Sequence, residues 1–130
     1  MRELKFRAWD KKRKRMFAVT TLNASGAVSV FIDDAGLYLL PAEQIELMQY
    51  TGLKDKNGKE IYVGDIIHRG ALPKVNVFRN SVIRFDEESV GFIATSTRNG
   101  ARTLFNGQTC DEIEVIGNIH ENPELLEGEK

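Results

Sequence analysis

Three features of this chain predict a mainly β protein of the small-barrel or sandwich kind. Apolar residues recur at period two along most of its length, the extended runs are rich in β-branched and aromatic residues, and glycine-centred turn signals separate them. Sustained 3.6-residue periodicity is scarce. The 130 residues suffice for one domain, or for a compact core with an appendage.

The elements follow in order. Leu4, Phe6 and Ala8 alternate with Lys5, Arg7 and Trp9, the pattern of a strand with two distinct faces. Met16 through Leu22 reads as a second strand, and Asp10 through Arg15 between them has the length of a hairpin loop. Asn23 to Gly26 is a turn cluster, followed by a strand over Ala27-Val28-Ser29-Val30-Phe31-Ile32. Asp33 to Gly36 punctuates the chain before Leu37-Tyr38-Leu39-Leu40. Pro41 ahead of Ala42 to Met48 gives the best helix candidate, since Pro suits a first turn and Glu43 suits the positive end of the macrodipole.

Strand chemistry returns over Met48 to Leu53, with Gly52 marking a bulge. Asn57-Gly58 predicts a hairpin with a type I′ turn, in which both residues take positive φ. A further turn at Val63-Gly64-Asp65 leads into Ile66-Ile67, where the Asp65 carboxylate is suited to accept backbone hydrogen bonds. Gly70 to Pro73 is loop-like, and Val75, Val77 and Phe78 begin another extended segment. Ser81 to Asp86 pairs with Val90 to Thr95 across Glu87-Glu88-Ser89, and Asn99-Gly100 repeats the turn dipeptide ahead of Arg102 to Phe105. The last strand is Ile113 to His120. A short turn or helix follows at Asn122 to Leu126, and the tail frays.

The formal charge of -1 conceals an uneven map. Residues 1–15 carry Arg2, Lys5, Arg7, Lys11, Lys12, Arg13, Lys14 and Arg15 against Glu3 and Asp10, a local charge of +6. Residues 111–130 carry seven acids against Lys130, a local charge of -6. The two ends are suited to attract one another, within or between subunits, or to face different partners. No apolar stretch approaches the roughly 20 residues of a membrane-spanning helix, and no apolar region follows the basic N-terminus as a secretory signal requires. A cytoplasmic location is expected, and a single Cys110 suits that reducing setting.

Three blocks carry a resemblance: Met1-Arg2-Glu3-Leu4-Lys5-Phe6-Arg7-Ala8-Trp9-Asp10, the long central run from Met48 to Ile67, and Glu114-Val115-Ile116-Gly117-Asn118-Ile119-His120-Glu121-Asn122-Pro123-Glu124-Leu125-Leu126. Their content and order resemble the YopX-like family, small proteins of temperate phages and prophages. The resemblance implies an SH3-like roll from about Gln49 onward and self-association, and it implies no activity. The expected organisation is a β-rich segment with a basic loop over residues 1–48, the roll over 49–126 and a frayed tail over 127–130. Gly52, Asn57, Gly58, Gly64, Asp65 and Gly117 would supply tight turns in a roll that bends short strands around one core.

The chemistry-bearing residues point away from catalysis. Asp55-Lys56-Asn57-Gly58-Lys59-Glu60 lacks the glycine at position six and the glutamate at position twelve of an EF-hand. His68, His120 and Cys110 show no zinc spacing, and no glycine-rich phosphate loop is present. Asp33-Asp34 and Asp86-Glu87-Glu88 sit where solvated turns are expected; a nuclease built on Asp65 and the 86–88 acids is the remote enzymatic reading. No cofactor and no metal are expected. The leading expectation is a non-enzymatic protein-interaction or self-assembly module, a homo-oligomer with a phage or host protein as partner. The alternative is a nucleic-acid-binding accessory protein in which Arg2, Lys5, Arg7 and residues 11–15 track phosphates while Trp9 stacks on a base.

Overall fold

The computed structural model describes residues 4–69, 80–97, 100, 102–104 and 113–126. The expectations for Arg2, for Gly70 to Phe78, for Asn99, for Cys110 and for the tail 127–130 lie outside the described residues. The chain is mainly β and divides into two compact units, Met1–Tyr50 and Thr51–Lys130.

In the first unit β1 (Phe6–Asp10) pairs antiparallel with β2 (Arg15–Ala18) on one side and with β6 (Ile45–Lys54) on the other. A separate three-stranded sheet runs in the order β3 (Thr21–Leu22), β4 (Val28–Phe31), β5 (Leu37–Leu40). Alternation decides the faces: Ala8 and Phe17, directly opposed, join Val28, Val30, Ile32, Leu40 and Ile45 in one buried cluster. The long strand expected from Met16 to Leu22 is broken instead. β2 stops at Ala18, Thr20 donates its N–H to Ser29 O at 2.8 Å, and the chain crosses into the second sheet.

The helix expected over Ala42 to Met48 does not form. A single 3₁₀ turn covers Ala42–Gln44, and Ile45 begins the ten-residue strand β6. A seven-residue helix carries an unfavourable nucleation step, whereas pairing with β1 satisfies the backbone of Ile45 to Gln49 and buries Ile45 and Met48 on opposite faces. The short helices of the expected fold are therefore 3₁₀ turns, at Asp33–Ala35, Ala42–Gln44 and Pro123–Leu126.

β6 continues past the boundary between the units and pairs there with β7 (Glu60–Tyr62). The second unit then holds β8 (Asp65–Arg69), β9 (Asn80–Asp86), β10 (Gly91–Ser96), β11 (Arg102–Leu104) and β12 (Ile113–Asn118). Their order is β11-β10-β9-β8-β12, an antiparallel meander whose fifth strand returns to pair with the first, as in an SH3-like roll. Its core is Ile61, Ile67, Ile83, Ala94, Ile113 and Val115, with Leu53 and Phe92 packed against it.

The turn between β6 and β7 differs from the expected type I′. Gly58 has φ of 82° while Asn57 stays at negative φ, Gly58 N–H donates to Asp55 O at 3.0 Å, and Asp55 N–H donates to Lys59 O at 2.8 Å. This is a three-residue loop in which only the last position is left-handed. Asp55 explains it, since its Oδ1 accepts the N–H groups of Asn57 and Lys59 at 2.8 and 2.9 Å. Gly117 likewise serves differently from a turn glycine. It lies inside β12 at a register shift between Val115 and Gly117, and a Cβ there would stand 2.5 Å from Asn122 Oδ1.

These two glycines respond differently to substitution. Gly58→Val meets open space and costs about 1–2 kcal/mol through φ alone, while Asn57→Val stays within about 0.5 kcal/mol. Gly117→Ala displaces the Asn122 side chain, which accepts Asn118 N–H at 3.1 Å, at a cost of about 1–3 kcal/mol. Urea unfolding of the three variants checks this order, and equal losses for Asn57→Val and Gly58→Val would restore the type I′ turn.

Candidate interaction surface

The basic run forms the tip of the β1–β2 hairpin, with residues 11–14 in the turn and Arg15 opening β2 opposite Asp10. Asp10 is the anchor and is 0% exposed. Its carboxylate accepts the N–H groups of Lys12 and Arg13 at 2.9 and 3.2 Å, the Arg13 Nη1 at 2.9 Å and the Gln44 Nε2 at 3.0 Å. Burial alone pushes this carboxyl up, but the hydrogen bonds from Arg13, Gln44 and Lys12 outweigh it and hold it below its ordinary value. Lys14 takes the left-handed conformation, with φ of 57°, and donates its N–H to Asp10 O at 2.7 Å.

Three of the five consecutive cations are consumed by ion pairs. Lys11 Nζ meets Glu46 at 3.5 Å, Arg13 binds Asp10, and Arg15 makes a two-pronged pair with Asp33 at 3.0 Å for each prong. The Arg15 guanidinium beside Asp33, through hydrogen bonds and charge, holds that carboxyl below its ordinary value. Arg13 also lies over the Tyr38 ring at 5.7 Å, and Arg15 over Phe17 at 4.9 Å. Lys12 and Lys14 alone in the run carry no ion pair among the described residues. Alternation along the strand puts Arg7 and Trp9, both half-buried, on the face opposite Ala8, and Lys5 stacks its ammonium on Tyr50 at 5.3 Å.

The remaining sequence candidates are occupied in turns. Asp65 is buried and accepts the Tyr62 N–H at 2.8 Å, next to Gly64 with φ of 96°. Gly52 has φ of 90° within β6. Asp86 accepts Ser89 Oγ at 2.7 Å and Arg102 Nη2 at 2.8 Å, and these groups hold its carboxyl below the ordinary value. Among the described residues no group of three His, Cys, Asp or Glu is placed to hold a metal ion, and no helix is long and apolar enough to cross a membrane.

What sequence reasoning missed is an apolar stripe on the three-stranded sheet. Phe31 and Leu37 stand directly opposite one another, and Leu39 follows opposite Ser29. All three point to the face away from Val28, Val30 and Leu40, and they are 62%, 59% and 61% exposed. The signal was present in four consecutive apolar residues, Leu37 to Leu40, where a half-buried strand should alternate.

Asp55 repeats the design of Asp10 in the second unit. Besides the turn N–H groups, its Oδ2 accepts Val115 N–H at 2.8 Å, tying the β6–β7 turn to β12 across 60 residues of sequence. Burial pushes this carboxyl up as well, yet the hydrogen bonds from Val115, Lys59 and Asn57 prevail and it titrates below its ordinary value. Both carboxylates therefore stabilise the fold fully above the unfolded-state value of about 3.9, and that stabilisation is lost as pH falls through the lower folded-state values. Urea midpoints should fall steeply below about pH 4. Asp10→Asn and Asp55→Asn should each cost about 1–3 kcal/mol at neutral pH and flatten the acid limb. An acid limb unchanged in both variants would remove these groups from the account.

The sequence profile described as YopX protein matches residues 5–127. The crystal structure of protein EF1440 from Enterococcus faecalis is similar over 97% of this chain and 99% of that one, at 31% sequence identity and a TM-score of 0.69. Protein yopX from Bacillus subtilis is similar over 93% of this chain and 96% of its own, at 22% identity and a TM-score of 0.62, a likeness of fold. No curated protein matches the chain.

Proposed function

From its membership of the YopX family, to which this chain belongs, we propose that the protein is a non-enzymatic protein-interaction or self-assembly module acting in a phage or prophage setting within the bacterial cytoplasm. The observation that carries this reading is the exposed stripe of Phe31, Leu37 and Leu39. Large apolar side chains gathered on one solvent-facing surface mark a place where another surface docks. The carboxylates of Asp65 and Asp86 are spent on the Tyr62 N–H, the Ser89 hydroxyl and the Arg102 guanidinium.

The nucleic-acid reading rests on Lys12 and Lys14, the tip cations without ion pairs among the described residues. Two such charges support a weaker and less salt-sensitive contact than five would. Replacing all of residues 11–15 with Ser removes the guanidinium partners of Asp10 and Asp33, whereas Lys12→Ser with Lys14→Ser touches neither pair.

Sedimentation equilibrium and fluorescence-anisotropy titration of single- and double-stranded DNA and RNA separate the two readings. The expected outcome is self-association or protein binding weakened by Phe31→Ser with Leu39→Ser, and nucleic-acid binding absent at low salt. Salt-sensitive nucleic-acid binding that the Lys12/Lys14 double variant abolishes would overturn the interaction reading.

A further inference from the structure

The stripe lies beside a strand edge that is unpaired among the described residues. Ile32 N–H donates to Gly36 O at 3.0 Å, which fixes Ile32 and Gly36 as a hydrogen-bonded pair. Such pairs alternate along an antiparallel ladder, so with Val30 opposite Tyr38 and Val28 opposite Leu40, Tyr38 and Leu40 turn their peptide groups toward β4. Thr20 N–H donating to Ser29 O confirms the phase from the other side, because Ser29 faces β3. The N–H and C=O groups of Leu37 and Leu39 therefore point outward from β5, and among the described residues nothing bonds to them. β5 is the last strand of its sheet, and Pro41 ends the run.

Charge selects the occupant. Asp34 and Glu43 flank the two ends of β5, both exposed and both without an ion pair among the described residues. A second copy added antiparallel about Tyr38 would set the Asp34 end of each strand alongside the Glu43 end of the other, and a parallel addition would oppose each acid to itself. Both arrangements bring like charges together. Among the described residues, Arg13 over Tyr38 lies on the face opposite Leu37 and Leu39, and Arg15 over Phe17 has its charge paired with Asp33.

Resting on the interaction reading above, we propose that the free edge of β5 accepts an extended segment of another protein, apolar at alternate positions and carrying Lys or Arg at its ends, as a fourth strand of the β3-β4-β5 sheet. The backbone of Leu37 and Leu39 supplies two donors and two acceptors. Alternate side chains of the incoming strand extend the Phe31, Leu37 and Leu39 stripe, and its basic ends meet Asp34 and Glu43.

The test uses a labelled peptide of about nine residues, Lys-Arg-Val-Thr-Val-Thr-Val-Arg-Lys, and the same core ended with Glu, titrated by anisotropy into the full chain. The expected result is saturable binding of the basic-ended peptide, weakened by salt, with the acidic-ended one about tenfold weaker. Asp34→Lys with Glu43→Lys should reverse that preference. Leu39→Pro removes one outward donor and Leu39→Lys charges the stripe; each should weaken binding about tenfold, the second serving if the first does not fold. Bound peptide should slow hydrogen exchange at the Leu37 and Leu39 amides. Absent binding of the basic-ended peptide, or binding that leaves those amides unprotected, overturns the proposal. Self-association abolished by Leu39→Lys would also overturn it in favour of a second copy, while leaving the interaction reading in place.

Discussion

At four places among the described residues a buried side-chain oxygen accepts the N–H groups of a turn, and the strand registers around them depend on it. Turn N–H groups have no ladder partner, and leaving them buried without one costs about 1–3 kcal/mol apiece. Asp10 meets that need for the β1–β2 hairpin and Asp55 for the β6–β7 turn. Asp65 does so for Tyr62, and Asn118 Oδ1 for His120 and Glu121 at 3.0 and 2.9 Å. Asp55 goes further, because its second oxygen holds β12 in register against a turn 60 residues earlier. A fold made of short strands has few residues per ladder, so fixing the turns does much to fix the pairing.

The same economy governs the basic hairpin. Five adjacent cations would repel one another, and their positions are tolerated because Glu46, Asp10 and Asp33 arrive from other elements of the same unit. The net charge of this segment in sequence thus overstates the field it presents in space. What remains without an ion pair at the tip, among the described residues, is the pair Lys12 and Lys14, while Arg13 and Arg15 lie over Tyr38 and Phe17 and contribute packing as well as charge.

Much of the fold was legible in the sequence because period two survives burial of a single face. Ala8, Phe17, Val28 and Val30 declared their inward positions, as did Ile83 against Phe92 and Ala94. The failures share a cause. Ala42 to Met48 has helical composition, yet the open side of β1 decided its conformation, and that partner lies more than thirty residues away. Gly58 was read with the wrong turn type because the deciding hydrogen bonds come from Asp55, whose burial no local pattern reveals. The candidate site was less legible still. The basic run was conspicuous and its neutralising acids were invisible, whereas the Leu37 to Leu40 stretch was read only as a strand.

An exposed apolar edge is a hazard that soluble β proteins usually blunt with charge, proline or a bulge. Here two of those devices stand at the ends of β5 and none within it: Pro41 closes one end, Asp34 and Glu43 carry like charge at both, and Leu37 and Leu39 lie bare between them. Such an arrangement guards against the commonest wrong partner, another copy at high local concentration, without closing the edge to others. Acidic flanks repel an identical strand and attract one of opposite charge, so specificity arises from the unfavourable pairing as much as from the favourable one. Retaining Leu37 and Leu39 in solvent costs solubility and gains nothing for the core, since Val28, Val30 and Leu40 already fill it from the other face. A strand paired to the edge of β5 sets its own alternate side chains beside Leu37 and Leu39, shielding their edge-side surface and continuing the stripe.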